Sequence, residues 1–372
     1  MSAIIFIISL LTYQSSRIFV PMLVLTLILL FKDEFGFKKM FSFFAIFFTF
    51  FTILISIVFL TGQSDRLSTL NFFAYTRLQN EINLIRNEDH QIIDQLGFQF
   101  LHGEWWAYTR GLIERYLNYF SPKMLVLEGD YNQRHKIPDI GVMFYFSFIL
   151  LPFGLLYFLK KNNVGSKLLL IWLLLAPIPA VLSRDLINLL RSLNSVFPLE
   201  VLQATGLVFL IQRFKSNKIL LKSFLIVLIL VFIDRYFIHA PKEYSSYWLY
   251  GYKQAVEIVK TKSENYQKII ITDFYGQPYI YYLFYTKYPP QTYQKQARLN
   301  QKNTDVGKVE KIDNIEFRPI FWPKERGDKN HLFIGTLEEL PDQDIKPFEE
   351  YNLIKDINFL NDQHALRIVE IK

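Results

Sequence analysis

Cysteine is absent from all 372 residues, so no disulfide and no thiolate metal site can form. Carboxylates are missing from the opening of the chain, where Asp33 is the first Asp or Glu. No glycine-rich phosphate loop, metal-binding His pair, Ser-His-Asp order or internal repeat is present, which removes the motif-based enzyme classes. The start has neither the basic residues nor the small-residue cleavage site of a secretory signal peptide.

Apolar residues are in excess. Hydrophobic residues make up 51% of the chain and aromatics 17%, with 36 Phe, yet 20% of residues are charged. The average hides two regimes: apolar blocks to residue 237, then an ordinary soluble composition from 238 to 372. The net charge of +7 does not point to nucleic acid, because much of the excess lies in short loops between apolar blocks.

A membrane helix needs about 20 mostly apolar residues. Residues 40–61, 142–159, 168–182, 198–211 and 223–237 meet or approach that length. The opening differs: 2–11 is apolar, 12–17 is polar and contains Arg17, and 18–31 is apolar again. As a helix, 2–11 would cover about 15 Å, half a bilayer. This opening reads either as one kinked helix with Arg17 near its middle or as the remainder of a longer one, and the second reading is preferred. Three basic loops, 32–39, 160–167 and 213–222, fall on one side if each apolar block crosses once, and the positive-inside bias makes that side cytoplasmic. The loop 62–140 and the tail then face outward.

Within that loop, residues 70–95 carry Phe72, Phe73, Leu78, Ile82 and Ile85 at helical spacing. Trp105, Trp106, Tyr108, Tyr116 and Tyr119 read as an interfacial helix at headgroup level, with a sugar-stacking platform as the sharper alternative. The tail reads as α/β, with helices over 248–261 and 277–285. Its strands are expected over 268–272, 314–319, 331–335, 351–359 and 365–371. Pro289-Pro290 and residues 291–303 read as a mobile loop.

The most polar run between apolar blocks is Gly129-Asp-Tyr-Asn-Gln-Arg-His-Lys-Ile-Pro-Asp-Ile-Gly141. Arg, His, Asp and Lys at the mouth of a membrane segment suit a phosphate or a sugar. The plainer reading is a solvated turn capping the next helix, with Pro138 in its first turn and Asp139 at its positive end.

Taken in order, several stretches carry a family resemblance: Thr12-Tyr-Gln-Ser-Ser-Arg-Ile-Phe-Val-Pro21, Tyr119-Phe-Ser-Pro122, the run 129–138, Leu175-Ala-Pro-Ile-Pro-Ala180, Arg191-Ser192, Gly251-Tyr-Lys253 and Gly276-Gln-Pro-Tyr279. The chain resembles the C-terminal part of a GT-C superfamily membrane glycosyltransferase of family 39, which includes the dolichyl-phosphate-mannose protein mannosyltransferases. The resemblance implies a truncated α-helical polytopic membrane domain, 1–237, followed by a small extracytoplasmic α/β domain, 238–372, in the plasma membrane. It implies sugar transfer from a polyprenyl-phosphate carrier to a protein, lipid or glycan acceptor at the outer face. Arg17, Asp130, Arg134, His135 and Arg191 would bind substrate; no metal ligand is identified, and a divalent metal requirement stays open. Such enzymes place an acidic base in the first outer loop. No acid precedes Asp33, which falls on the cytoplasmic side, so this chain alone is expected to be an inactive fragment with a separately encoded N-terminal half as partner. The alternative is a non-catalytic membrane scaffold with an extracytoplasmic domain. A transporter fits less well, because the apolar segments carry few internal charges.

Overall fold

Helix boundaries in the first unit follow from local backbone chemistry. The computed structural model describes residues 2–60, 71–74, 79–89, 93–214, 218–297, 299–300 and 308–371. The chain divides into two units, Met1–Leu230 and Val231–Lys372. The division falls inside the helix Lys218–Ile233, a few residues before the composition changes.

Among the described residues four helices are long and apolar enough to cross a membrane: Lys38–Val58, Val164–Val181, Leu193–Arg213 and Lys222–Glu243. On the last of these Ile226, Ile229 and Leu230 are more than half exposed, a surface that suits hydrocarbon rather than water. The fifth apolar stretch, 142–159, forms a shorter helix, Tyr145–Lys161, of 17 residues. At 1.5 Å per residue it spans about 26 Å, under the ~30 Å of a bilayer core. The reason lies at its ends. Gly141 N–H donates to Val126 O at 3.2 Å and Met143 N–H to Leu125 O at 2.9 Å, so residues before Tyr145 are held in loop pairing. Asn162, left-handed at φ 43°, stops the other end. Pro138 and Asp139 are therefore not at the helix start. They sit in a tight turn that bridges Ile137 and Ile140, with Asp139 at φ 57°.

The opening is two helices, Ser2–Thr12 and Ser16–Leu30, broken at Tyr13–Ser15. Phe19, Val20, Leu23 and Val24 of the second pack with Leu10, Phe47 and Ala176. The 70–95 stretch is not one helix among the described residues. It holds a single turn at Phe72–Ala74 and a helix at Gln79–Glu88, while Leu70 and Leu78 lie outside the described residues. Asp94 starts the next helix, Gln95–His102, by accepting from Gly97 N–H at 2.9 Å.

In the second unit one sheet has the order β4-β5-β1-β6-β8-β7. These strands are β1 Lys268–Ile271, β4 Lys311–Ile312, β5 Ile315–Phe317, β6 His331–Gly335, β7 Tyr351–Asn358 and β8 His364–Ile371. A separate two-stranded ribbon pairs β2, Leu299–Asn300, with β3, Lys308–Val309. β1 runs parallel to β5 and β6, whereas β6, β8 and β7 are antiparallel neighbours. Side chains alternate across the sheet. Ile269 and Ile271 pack beneath the helices Tyr252–Lys262 and Pro278–Thr286. Ile270 packs on the opposite face with Trp322, Phe333 and Leu340. The stretch after Pro289 is a helix, Pro290–Gln296, rather than loop throughout; Pro290 opens it where a helix needs no N–H. Residues 298 and 301–303 lie outside the described residues.

Two ion clusters tie the sheet edges. Arg367, 2% exposed, donates from Nε to Asp356 Oδ1 at 2.7 Å and from Nη2 to Oδ2 at 3.0 Å, and this holds the Asp356 carboxyl below the usual carboxylate range. Burial alone would raise Glu325. Two bonds from Arg318, at 2.9 and 2.8 Å, and one from Phe321 N–H outweigh it, so Glu325 also lies low. A carboxyl with a depressed folded pKa contributes stability that is complete above its unfolded value, about 4, and is lost as pH falls through the lower folded value. Amide protection of β7 and β8 is thus expected to fall on acidification below about pH 4. Arg367→Ala should lower the stability of the unit at pH 7 by about 3 kcal/mol, because it strands a partly buried carboxylate. Hydrogen exchange on the full chain reads both effects. Unchanged protection in Arg367→Ala would mean the cluster adds nothing.

Candidate functional site

In the first unit two loops converge, 119–143 and 183–195, and Asp130 and Tyr119 join them. Asp130 is 2% exposed, and both carboxylate oxygens accept bonds from the chain itself. Asn132 N–H donates to Oδ1 at 2.9 Å. Leu189 N–H donates to Oδ2 at 2.9 Å, and His135 Nδ1 lies 3.0 Å from the same oxygen. One oxygen thus brings His135 against the Leu189–Arg191 turn. Asn132 Oδ1 accepts from Arg134 N–H at 3.0 Å, which fixes the short turn Gln133–His135.

The chain can bend this way because its preceding turn is wide. Over Lys123–Glu128 the backbone winds with i→i+5 bonds, as where Gly129 N–H donates to Met124 O at 3.2 Å. Gly129 then turns at φ 67°, a conformation that favours glycine. A β-carbon on Gly141 would lie 2.6 Å from the Leu125 and Val126 backbone, so no side chain fits there.

The second loop is held by two more side chains. Arg115 Nη1 donates to the carbonyls of Ser183, Arg184 and Asp185 at 3.1, 3.0 and 2.7 Å, with its guanidinium 4.8 Å from the Phe72 ring centre. Asn188 N–H donates to the Tyr119 hydroxyl at 2.8 Å. Burial pushes the Tyr119 phenol up to about 12, so it stays neutral. Within the loop Asn188 donates from Nδ2 to Asp185 Oδ2 at 2.8 Å and accepts from Arg191 N–H at 3.1 Å. Arg191 Nη1 is 3.3 Å from Asp185 Oδ2 but out of hydrogen-bond alignment.

Of the residues expected at a site, Asp130, Arg134, His135 and Arg191 are therefore on this pair of joined loops. Asp130 is their anchor and presents no oxygen outward. Arg134 is exposed and His135 and Arg191 are half-buried. Arg17 stands apart in its bonding: Nε donates to Leu10 O at 3.4 Å, capping the end of Ser2–Thr12. Its helix is linked to the second loop through Phe19, whose ring centre is 5.6 Å from that of Trp172, and Trp172 Nε1 donates to Asn194 O at 2.8 Å. Sequence reasoning missed Arg115, Asp185 and Asn188. Arg-Asp and Asn inside the apolar run 181–190 were the available signal for two of them; nothing local marks Arg115, whose partners are 68 to 70 residues away.

Chemically, the two loops offer Arg134, His135, Arg184 and Arg191 as donors, and the buried Asp130 carboxylate is already engaged by two backbone N–H groups beside His135. Such an arrangement favours an oxyanion held by guanidinium forks. No three acids or imidazoles among the described residues are grouped to hold a metal ion. No family model, curated protein or solved structure matches this chain.

Proposed function

We propose that this chain is the carrier-binding part of a membrane glycosyltransferase of the GT-C type. It would take a polyprenyl-phosphate sugar at the extracytoplasmic face of the plasma membrane, with the α/β unit on that side. The observation that carries the reading is the Asp130 clamp. Its carboxylate, met by the Asn132 and Leu189 N–H groups, holds His135 and the Arg191 turn together at the end of apolar helices. Arg134 and Arg191 would grip the carrier phosphate, and His135 would donate to it or position the acceptor. As the sugar leaves, charge grows on that phosphate, and fixed cations in low dielectric stabilise it. The exposed Leu96, Phe100, Trp105 and Trp106 support a neighbouring surface resting at headgroup level.

Binding of polyprenyl phosphate to the purified chain in nanodiscs, compared with the same polyprenol lacking phosphate, tests this reading. Arg134→Ala and Arg191→Ala are each expected to weaken binding about tenfold, and the surface control Lys123→Ala to leave it alone. Arg191→Lys, which keeps charge without the fork, should fall between. Equal binding of the two lipids, or full affinity in both alanine variants, would reject the carrier reading in favour of a scaffold. Sidedness has its own test, made clean by the absence of native cysteine. Asn132→Cys should react with an impermeant thiol reagent in intact cells and Asn162→Cys should not. Gln63→Cys and Asn303→Cys, at positions outside the described residues, should react as Asn132→Cys does.

A further inference from the structure

The α/β unit carries a second candidate site, independent of the carrier reading. β1 and β5 are adjacent and parallel, with Ile271 opposite Phe317 at their carboxyl ends. From β1 the chain passes to the helix Pro278–Thr286, whose Tyr279 and Tyr282 pack on the Ile269 face. From β5 it passes to the turn Trp322–Glu325, whose Trp322 packs on the opposite, Ile270 face. Two neighbouring parallel strands thus send their connections to opposite sides of the sheet. In open α/β sheets that arrangement leaves a crevice at the strand carboxyl ends, where ligands bind. Here it holds a cleft of about 530 Å³, between the turn after β1, the end of β5 and residues 308–311. Such a volume suits a small ligand.

The lining decides the ligand class. Its ionisable groups are Asp273, Glu310 and Glu316 against Lys308, Lys311 and Arg318, so acids and bases are equal in number. Lys308 Nζ is 2.9 Å from Asp273 Oδ2. Arg318 donates from Nε to Glu316 at 3.0 Å and from its other two nitrogens to Glu325, so its fork is already engaged. An anionic ligand would find no excess positive charge here, and a cationic ligand no excess negative charge. What the cleft offers is fixed carboxylate acceptors and ammonium donors beside the Gln277 amide, over a floor of Tyr279 and Phe317, whose ring centres are 6.3 Å apart. Ion pairing holds Asp273, Lys308, Glu316 and Arg318 in place before a ligand arrives, which lowers the ordering cost of binding. We infer that this cleft binds an uncharged, hydroxyl-rich ligand, a short saccharide, whose hydroxyls bridge the paired acids and bases.

The test uses the full chain in nanodiscs on an array of neutral oligosaccharides, with their sulfated and sialylated counterparts, and inorganic phosphate as a competitor. Neutral glycans should be retained, phosphate should not displace them, and Gln277→Ala and Lys311→Ala should each weaken retention at least fivefold. Lys311 is exposed, so its loss should not disturb the fold; β1 and β5 amide protection checks this. Three results would overturn the inference: no neutral glycan retained, preference for the sulfated or sialylated forms, or undiminished retention in both variants with protection intact.

Discussion

Asp130→Ala is expected to destabilise the first unit by about 4 kcal/mol, the largest effect of any single polar substitution in it. The carboxylate accepts from Asn132 N–H and Leu189 N–H and lies 3.0 Å from His135 Nδ1. Bonds to a charged acceptor contribute about 1.5–3 kcal/mol each, and deleting the acceptor also leaves buried donors unpaired. The contributions overlap, so their sum is an upper bound. Asp130→Asn retains one acceptor oxygen without the charge and should cost about 2 kcal/mol. The readout is hydrogen exchange at the Asn132 and Leu189 amides, 57 residues apart in sequence. In Asp130→Ala both should speed up together, because one group protects both. Independent exchange, or none, would mean the loops are held by something else. Carrier binding should fall with the clamp and recover partly in Asp130→Asn, since its role is to position His135 and Arg191.

The second large effect concerns two glycines. The helices Tyr145–Lys161 and Val196–Phe214 cross so closely that a β-carbon on Gly154 would lie 2.1 Å from Leu202 O, and one on Gly206 would lie 2.2 Å from Leu150 O. Each glycine faces the partner's backbone, which cannot move aside like a flexible side chain. Small residues serve this purpose between membrane helices, where attraction comes from close packing rather than expulsion of water. Gly154→Ala is expected to cost about 3 kcal/mol, and Gly206→Leu more, through forced separation of the pair. The sign is diagnostic. On an isolated helix, alanine for glycine gains about 1 kcal/mol, so a variant that withstands heating better than wild type would refute the close crossing. The measurement is the fraction of monodisperse protein left after a temperature series. The double variant should cost less than the sum, since one separation relieves both clashes.

Much of this architecture is legible in local sequence. A strand covered on both faces reads as a short continuous apolar run, so His331-Leu-Phe-Ile-Gly335 announces itself, and its bounds agree with the reading. The apolar blocks are equally plain because a bilayer-length run has few alternative uses. Local reading fails where a distant partner sets the outcome. Apolar composition starts the 142–159 block at Val142, but pairing of Gly141 and Met143 with Val126 and Leu125 delays the helix to Tyr145. Polar composition predicts loop over 290–296, yet Pro at a helix start is favourable and the segment forms the helix Pro290–Gln296.

The candidate site divides the same way. Composition singles out the run 129–141, because clustered charge between apolar blocks is conspicuous, whereas Arg191-Ser192 enters only through the family resemblance. Composition cannot tell that Asp130 faces inward, that Arg115 holds three carbonyls of a loop some seventy residues on, or that Arg17 caps the end of Ser2–Thr12. Residue type and spacing determined which stretches are apolar, which alternate and which are charged, since those depend on neighbours a few positions away. Tertiary structure alone decided which charges are saturated and which stay available, because a hydrogen bond depends on distance in space and not on separation along the chain.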